Sequence, residues 1–300
     1  MKNVRILGIV VCVMAAVNFA SAEIIRGIDI DFVNIGNAGN ATDPATGSLY
    51  GAVGYNYRIG KYEITNAQWN TFTNAAGAPT GSPSNAYNSS AVHTGAQQPT
   101  NNVSWYEAAQ FCNYLTSGDK SKGAYQLGAD GSIAVDRAAA QVVYGTIYVI
   151  PTEDEWYKAA YHKNDGITGN YWLYPTKSNN VPSNALLNPD PCNNANFYQN
   201  SYTIGSPDYL TVVGEFENSD SAYGTFDQGG NAWEWNETLI GSSRGIRGGS
   251  YDVSVGTLMS PDRGYNVSYL EAGDLGFRVA SVPEPAALLL LIFGVFAVKK

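Results

Sequence analysis

Apolar and polar positions alternate along Ile28-Asp29-Ile30-Asp31-Phe32-Val33, the period of a half-buried strand. Tyr57-Arg58-Ile59-Gly60-Lys61-Tyr62-Glu63-Ile64-Thr65 repeats that pattern. The period then changes to three and four. Thr65 or Asn66 can cap a helix that carries Trp69 and Phe72 on one face. Ser104 and Glu107 have capping-box spacing: the hydroxyl accepts a first-turn N–H and the carboxylate reaches back to the cap. The helix they open buries Ala108, Phe111, Cys112 and Leu115. Thr152 and Glu155 repeat the box before Trp156, Ala159 and Ala160. Residues 34–54 and 76–101 are rich in Gly, Asn, Ser, Thr or Pro and predict loops. Turn signals at Lys120 to Gly123 and at Asp130-Gly131 predict a hairpin or surface flap over 117–147. From Tyr171 to Asp227 the pattern is mostly irregular, a length that usually needs a metal or ligand as a tie.

The two ends are patterned differently. Met1-Lys2-Asn3-Val4-Arg5 is short and basic, Ile6 to Ala20 is apolar, and Ala20-Ser21-Ala22 has the small-x-small form of a cleavage site. That order predicts a secretory signal over 1–22, cut after Ala22. At the other end Pro283-Glu284-Pro285 precedes an apolar stretch from Ala286 to Val298, closed by Lys299-Lys300. A bilayer span needs ~20 apolar residues, so this stretch is short for a permanent anchor. Motif, apolar stretch and basic end resemble the PEP-CTERM sorting tail of Gram-negative bacteria. The resemblance implies recognition by an exosortase, a membrane-embedded processing enzyme, and transient membrane attachment through residues 282–300. Residues 23–281 are left as one domain, and the cell envelope, outer surface or extracellular matrix as its expected location.

Charged residues are only 14% of the chain, and the formal charge is −9. Asn, Ser, Thr, Gly and Tyr take their place, which suits a neutral, hydrogen-bonding extracellular surface. Nothing forms a basic stripe, which argues against nucleic acid as a partner. Carboxylates are available to calcium, which is abundant outside cells. Cys12 leaves with the signal, so Cys112 and Cys192 remain in an oxidising compartment, either as one disulfide or as two buried free thiols.

Six segments then fall in a recognisable order. They are the Glu63-Ile64-Thr65 strand end with its aromatic helix, Gln98-Pro99-Thr100-Asn101-Asn102-Val103-Ser104-Trp105, and Ile150-Pro151-Thr152-Glu153-Asp154-Glu155-Trp156. Gly230-Asn231-Ala232-Trp233-Glu234-Trp235 and Arg247-Gly248-Gly249-Ser250-Tyr251 follow, with Leu275-Gly276-Phe277-Arg278 closing the series. This order resembles the formylglycine-generating, or sulfatase-modifying factor, family. The resemblance implies an α+β fold of C-type lectin-like type, with short antiparallel strands, two or three helices and long loops tied by calcium. It also implies two Ca²⁺ sites. One takes the Asn196 side chain, the Phe197 carbonyl, Asp208 and the Leu210 carbonyl. The other takes backbone oxygens near Gly229, Gly230 and Ala232 and the Glu234 carboxylate. Cys112 sits where family members often carry a disulfide cysteine, but the usual partner position reads Val279.

The chain departs from the family at the centre of its chemistry. The oxidases carry two cysteine thiolates that bind Cu(I), soft ligands for a soft ion. Here those places read Val253 and Leu258. A related branch holds non-haem iron with histidines of an additional helical domain. This chain has only His93 and His162, 69 residues apart, each expected at the surface. Ser250 then reads as a turn residue, Trp235 as core, and Glu153, Asp154 and Glu155 as capping acids rather than an acid/base pair. No catalytic residue is assigned, and neither copper nor iron is expected. The leading expectation is a non-catalytic binder of a glycan or envelope protein. The alternative is an oxidoreductase of the formylglycine-generating or non-haem iron class with a displaced site. The aromatic-rich, low-charge chain, with 21 Tyr and 6 Trp, suits sugar stacking.

Overall fold

The computed structural model describes residues 21–283. In chain order the elements are β1 (Ser21–Ile25), β2 (Ile28–Ile35), β3 (Tyr57–Gly60), α1 (Asn66–Ala76) and α2 (Trp105–Ser117). Then come β4 (Tyr125–Leu127), β5 (Ile133–Val135), α3 (Arg137–Tyr144), β6 (Ile147–Val149) and α4 (Glu153–Tyr161). The last are β7 (Trp233–Ile240), β8 (Ser243–Arg247), β9 (Gly264–Val267), β10 (Leu275–Gly276) and β11 (Ala280–Val282). One sheet runs β1-β2-β3-β11-β6, a second β10-β7-β8-β9, and β4-β5 form a hairpin.

The five-stranded sheet follows its alternation. Ile28, Ile30 and Phe32 of β2 are buried while Asp29 points to solvent. β11 lies between β3 and β6, pairing Ala280 with both Ile59 and Val149. A strand with neighbours on both sides buries both faces, so Ala280, Ser281 and Val282 are all buried. Helices α1 and α2 meet through a cluster of edge-to-face and stacked rings made by Trp69, Phe72, Phe111 and Phe277. Both expected capping boxes form, at Ser104 with Glu107 and Thr152 with Glu155, and the Thr65 cap proves to be a third box, closed by Gln68.

Several expectations change. The described residues hold four α-helices, one more than the upper expectation, because residues 117–147 contain α3 as well as the expected hairpin. Cys112 and Cys192 form no disulfide. Cys112 is packed inside α2, whereas Cys192 is exposed on the irregular loop, and both thiols are free. Pro283 is the last described residue of the sorting motif, and its carbonyl accepts a 2.8 Å bond from the Gln141 amide. Glu284, Pro285, the rest of the tail and most of the signal lie outside the described residues. Among the described residues no helix is long and apolar enough to cross a membrane.

Candidate functional site

Residues 163–232 contain no helix or extended strand, only isolated bridges, and side-chain bonds hold them. The centre of that web is Asn231, which sequence reading did not single out as a site residue. Its backbone sits at φ 61°. Its side-chain oxygen accepts from the Asn196 amide at 3.0 Å, the Thr211 N–H at 3.1 Å and the Thr211 hydroxyl at 3.2 Å. Its side-chain nitrogen donates to Glu63 at 3.2 Å. Its N–H donates to the Asn196 carbonyl at 2.7 Å, and its carbonyl accepts from the Tyr251 N–H at 2.9 Å. Four distant segments are thereby fixed by one residue. Gly230 beside it cannot be replaced without movement: a Cβ there would lie 2.1 Å from the Asn196 carbonyl oxygen.

The two expected calcium sets fare differently. Asn196 presents a buried side-chain oxygen with no hydrogen-bond partner, the kind of atom a hard cation takes. The Leu210 carbonyl accepts from Gln98 at 2.7 Å and the Phe197 carbonyl from Asn184 at 3.1 Å, while Asp208 is exposed. The first set therefore contains one unsatisfied buried oxygen and the Leu210 carbonyl with a spare lone pair, whereas the Phe197 carbonyl also accepts from the Thr203 hydroxyl at 3.5 Å. In the second set the carboxylate is already paired. Both oxygens of Glu234 are held at 2.6 Å by the Arg278 guanidinium, and one also accepts from the Trp156 indole at 2.7 Å. Arg278 thus already compensates the one carboxylate expected beside the backbone oxygens of Gly229, Gly230 and Ala232. Among the described residues no group of three or more His, Cys, Asp or Glu is arranged to hold a metal ion.

The acidic turn of α4 is structural, as its spacing indicated. Glu153 binds Arg247 at 2.7 Å and Arg263 at 2.6 Å, Glu155 binds Arg137 at 2.9 Å, and Asp154 accepts from the Gly51 N–H at 2.8 Å. Trp235 is fully buried, as expected of core. Both histidines depart from expectation, being buried rather than at the surface. His162 is locked between the Tyr223 hydroxyl and the Thr168 carbonyl, and burial lowers its pKa. His93 meets the Tyr251 hydroxyl at 3.4 Å, and burial lowers its pKa as well. An imidazole that can stay neutral tolerates such sites; both nitrogens of His162 find partners, whereas the buried Nδ1 of His93 has none.

Val253 and Leu258 stand on one loop after β8. Leu258 is fully buried with Tyr174, Ala195 and Phe197, and the Val253 carbonyl accepts from the Tyr198 N–H at 3.0 Å. Around them tyrosine rings gather. Tyr198 and Tyr202 meet edge to face at 5.1 Å, Tyr202 and Tyr209 at 4.8 Å, and Tyr209 stacks on Tyr251 at 5.4 Å. His93 closes the row against Tyr251 at 5.5 Å. Beside Tyr251 the Ser250 hydroxyl lies 2.8 Å from Asp252 and 3.0 Å from Asp274. Burial, then repulsion from Asp252, raises the Asp274 pKa, and burial next to both acids lifts Tyr251 to about 12. This arrangement offers ring faces and hydrogen-bond acceptors. It offers no thiolate.

The fold is of C-type lectin-like type, α+β with few helices, short strands and long loops fixed by side chains. The profile of the sulfatase-modifying factor enzyme 1-like domain matches residues 48–282, and the chain belongs to that family. Among solved structures it is similar to Treponema denticola variable protein 1, with a TM-score of 0.55 and 20% identity over 88% of this chain and 99% of that one. CarF gives a TM-score of 0.54 and 20% identity, covering 84% of this chain and 97% of its own. PvdO from Pseudomonas aeruginosa gives 0.54 and 16%, covering 84% and 94%. At these identities the likeness is one of fold. No curated protein sequence matches the chain significantly.

Proposed function

We propose that this chain is an exported envelope or matrix protein whose sulfatase-modifying factor-like domain binds a ligand or partner and catalyses no oxidation. The observation that carries this reading is the identity of residues 253 and 258. Where the family resemblance calls for a thiolate pair, the side chains are an isopropyl group and an isobutyl group, the latter sealed into an apolar cluster. Neither can ligate Cu(I). The loop that would have held the metal instead abuts a row of tyrosines, surfaces suited to contact. Calcium is a structural component of this reading at the first set alone, where Asn196 would offer its free oxygen to the ion. Export by the leader and trimming by an exosortase-type membrane enzyme at Pro283-Glu284-Pro285 complete it, supported by the order of features at the two ends.

Elemental analysis of the purified chain, with oxygen uptake measured on a cysteine-containing peptide, tests the proposal. Calcium without stoichiometric copper or iron, and no oxygen consumption, is the expected result. Conversion of the peptide cysteine to formylglycine would overturn it.

A further inference from the structure

The row of rings beside Val253 differs from the other tyrosines of this protein. Interior tyrosines turn their hydroxyls onto fixed partners: Tyr125 to Glu237 at 2.7 Å, Tyr157 to Asp43 at 2.6 Å, Tyr161 to the Leu258 carbonyl at 3.0 Å. Tyr198 and Tyr202 instead each keep 41% of their surface in solvent while touching one another, and Tyr209 and Tyr251 behind them are half-buried. Burial does not explain such a grouping, because two of its four rings remain wet. The row comes from three separate loop regions, around 198–202, 209 and 251. Hydrogen bonds rather than regular structure fix them: Tyr198 N–H to the Val253 carbonyl, and Tyr251 N–H to the Asn231 carbonyl. A platform held in this way is formed before any ligand arrives, which lowers the entropic cost of binding.

At the Tyr251 end the chemistry changes from apolar to acceptor-rich. Asp252 is exposed, Asp274 is half-buried, and the Ser250 hydroxyl between them has a single proton to donate. Two carboxyl groups with one hydroxyl leave acceptor positions open next to the ring faces. The groups around Asp274 and Tyr251 include the Ser250 hydroxyl, Asp252, Asp274 and the neighbouring tyrosines, together with His93, whose pKa burial lowers.

We infer that the shelf formed by Tyr198, Tyr202, Tyr209 and Tyr251, with Asp252 and Asp274 at its end, is a carbohydrate-binding site for pyranose rings that bear no acidic group. This rests on the binder reading above and names its ligand class. A pyranose has an apolar C–H face that packs on tyrosine, and rim hydroxyls that donate to carboxylates in charge-assisted bonds. A uronic or sialic acid would bring a third negative charge to the same few ångströms, which the uncompensated pair repels.

The purified full chain is titrated calorimetrically with cellohexaose, chitohexaose and maltohexaose, and with hexagalacturonate as the acidic counterpart. At least one neutral oligosaccharide binds and the acidic one does not. Tyr202→Ala and Asp252→Asn, both at exposed positions, each weaken that binding roughly tenfold or more. Tyr265→Ala, which removes an exposed ring on β9, leaves it unchanged. Silence from all three neutral sugars, binding indifferent to the two shelf variants, or equal binding of hexagalacturonate overturns the inference. Retention on isolated envelopes is measured in parallel. Retention abolished by protease, with no sugar bound, sinks the carbohydrate site and leaves the binder reading standing, whereas no retention and no sugar binding sinks both.

Discussion

At the scale of single residues the centre of this domain is an ion pair with no access to water. Arg278 and Glu234 are both fully buried and joined at 2.6 Å, and Arg278 also donates to the carbonyls of Gly60 and Phe226. A buried pair of this kind contributes little against an apolar replacement, but breaking it strands a charge. Arg278→Ala is therefore expected to cost about 3–5 kcal/mol in denaturant unfolding. The paired change Glu234→Gln with Arg278→Met should recover much of that loss. A single variant as stable as the parent would show that Glu234 has another cation, and would reopen the second calcium set. The sequence displayed Glu234 and Arg278 as motif residues without showing that they answer one another. They are 44 positions apart, and no local period links them. The histidines were misjudged for a related reason: imidazole is apolar enough to be buried, and only the partners Tyr223 and Tyr251 decide that it is.

At the scale of elements, α2 carries the most information. Nearly all of it is buried, so its ends must satisfy their own polar groups. The Ser104 oxygen accepts from the Glu107 N–H at 3.2 Å and its hydroxyl donates to the Ala86 carbonyl at 2.7 Å. Ser104→Ala should cost ~1–2 kcal/mol, read by thermal or chemical unfolding. Glu107 closes the box from a buried position. Burial first, with repulsion from Glu271, lifts its pKa from 4.5 to about 8, against the lowering effect of the Ser104 amide. The folded state thus holds this proton more tightly than the unfolded chain. Its stabilisation is complete below pH 4.5 and is lost as the pH rises through about 8. Asp227, raised from 3.8 to about 6 by burial, acts in the same direction at lower pH. Glu107→Gln keeps an acceptor for the cap and removes the charge, so its melting temperature should fall less than the parent's between pH 5 and pH 9. Parallel curves for the two proteins would refute the assignment. The capping boxes were legible because they are written within four residues. α3 was not, because it is short, its apolar residues Val142 and Val143 face solvent and only Ala140 is buried, so its apolar positions do not mark a face turned to the core.

At the scale of the whole molecule the two thiols among the described residues report on how the chain is arranged. Cys112 is sealed in α2, and burial raises its pKa, which suppresses thiolate formation. Cys192 is exposed. A thiol reagent should modify Cys192 in the native protein and Cys112 only after unfolding, and reductant should leave the native mass unchanged. Two protected thiols released by reductant would restore the disulfide. The sequence by itself determined what is local: the β2 alternation, three helix starts, the irregular stretch to Asp227, and the ordered motifs that mark the family. It also settled that residues 253 and 258 carry no sulfur, since that is a matter of identity alone. The tertiary structure decided which distant residues meet: β11 between β3 and β6, Asn231 among four segments, Arg278 on Glu234, and four tyrosines from three loop regions in one row. Backbone periodicity reaches only a few residues along the chain, whereas these contacts close loops of tens to hundreds of residues, and only the packing of the complete core selects among them.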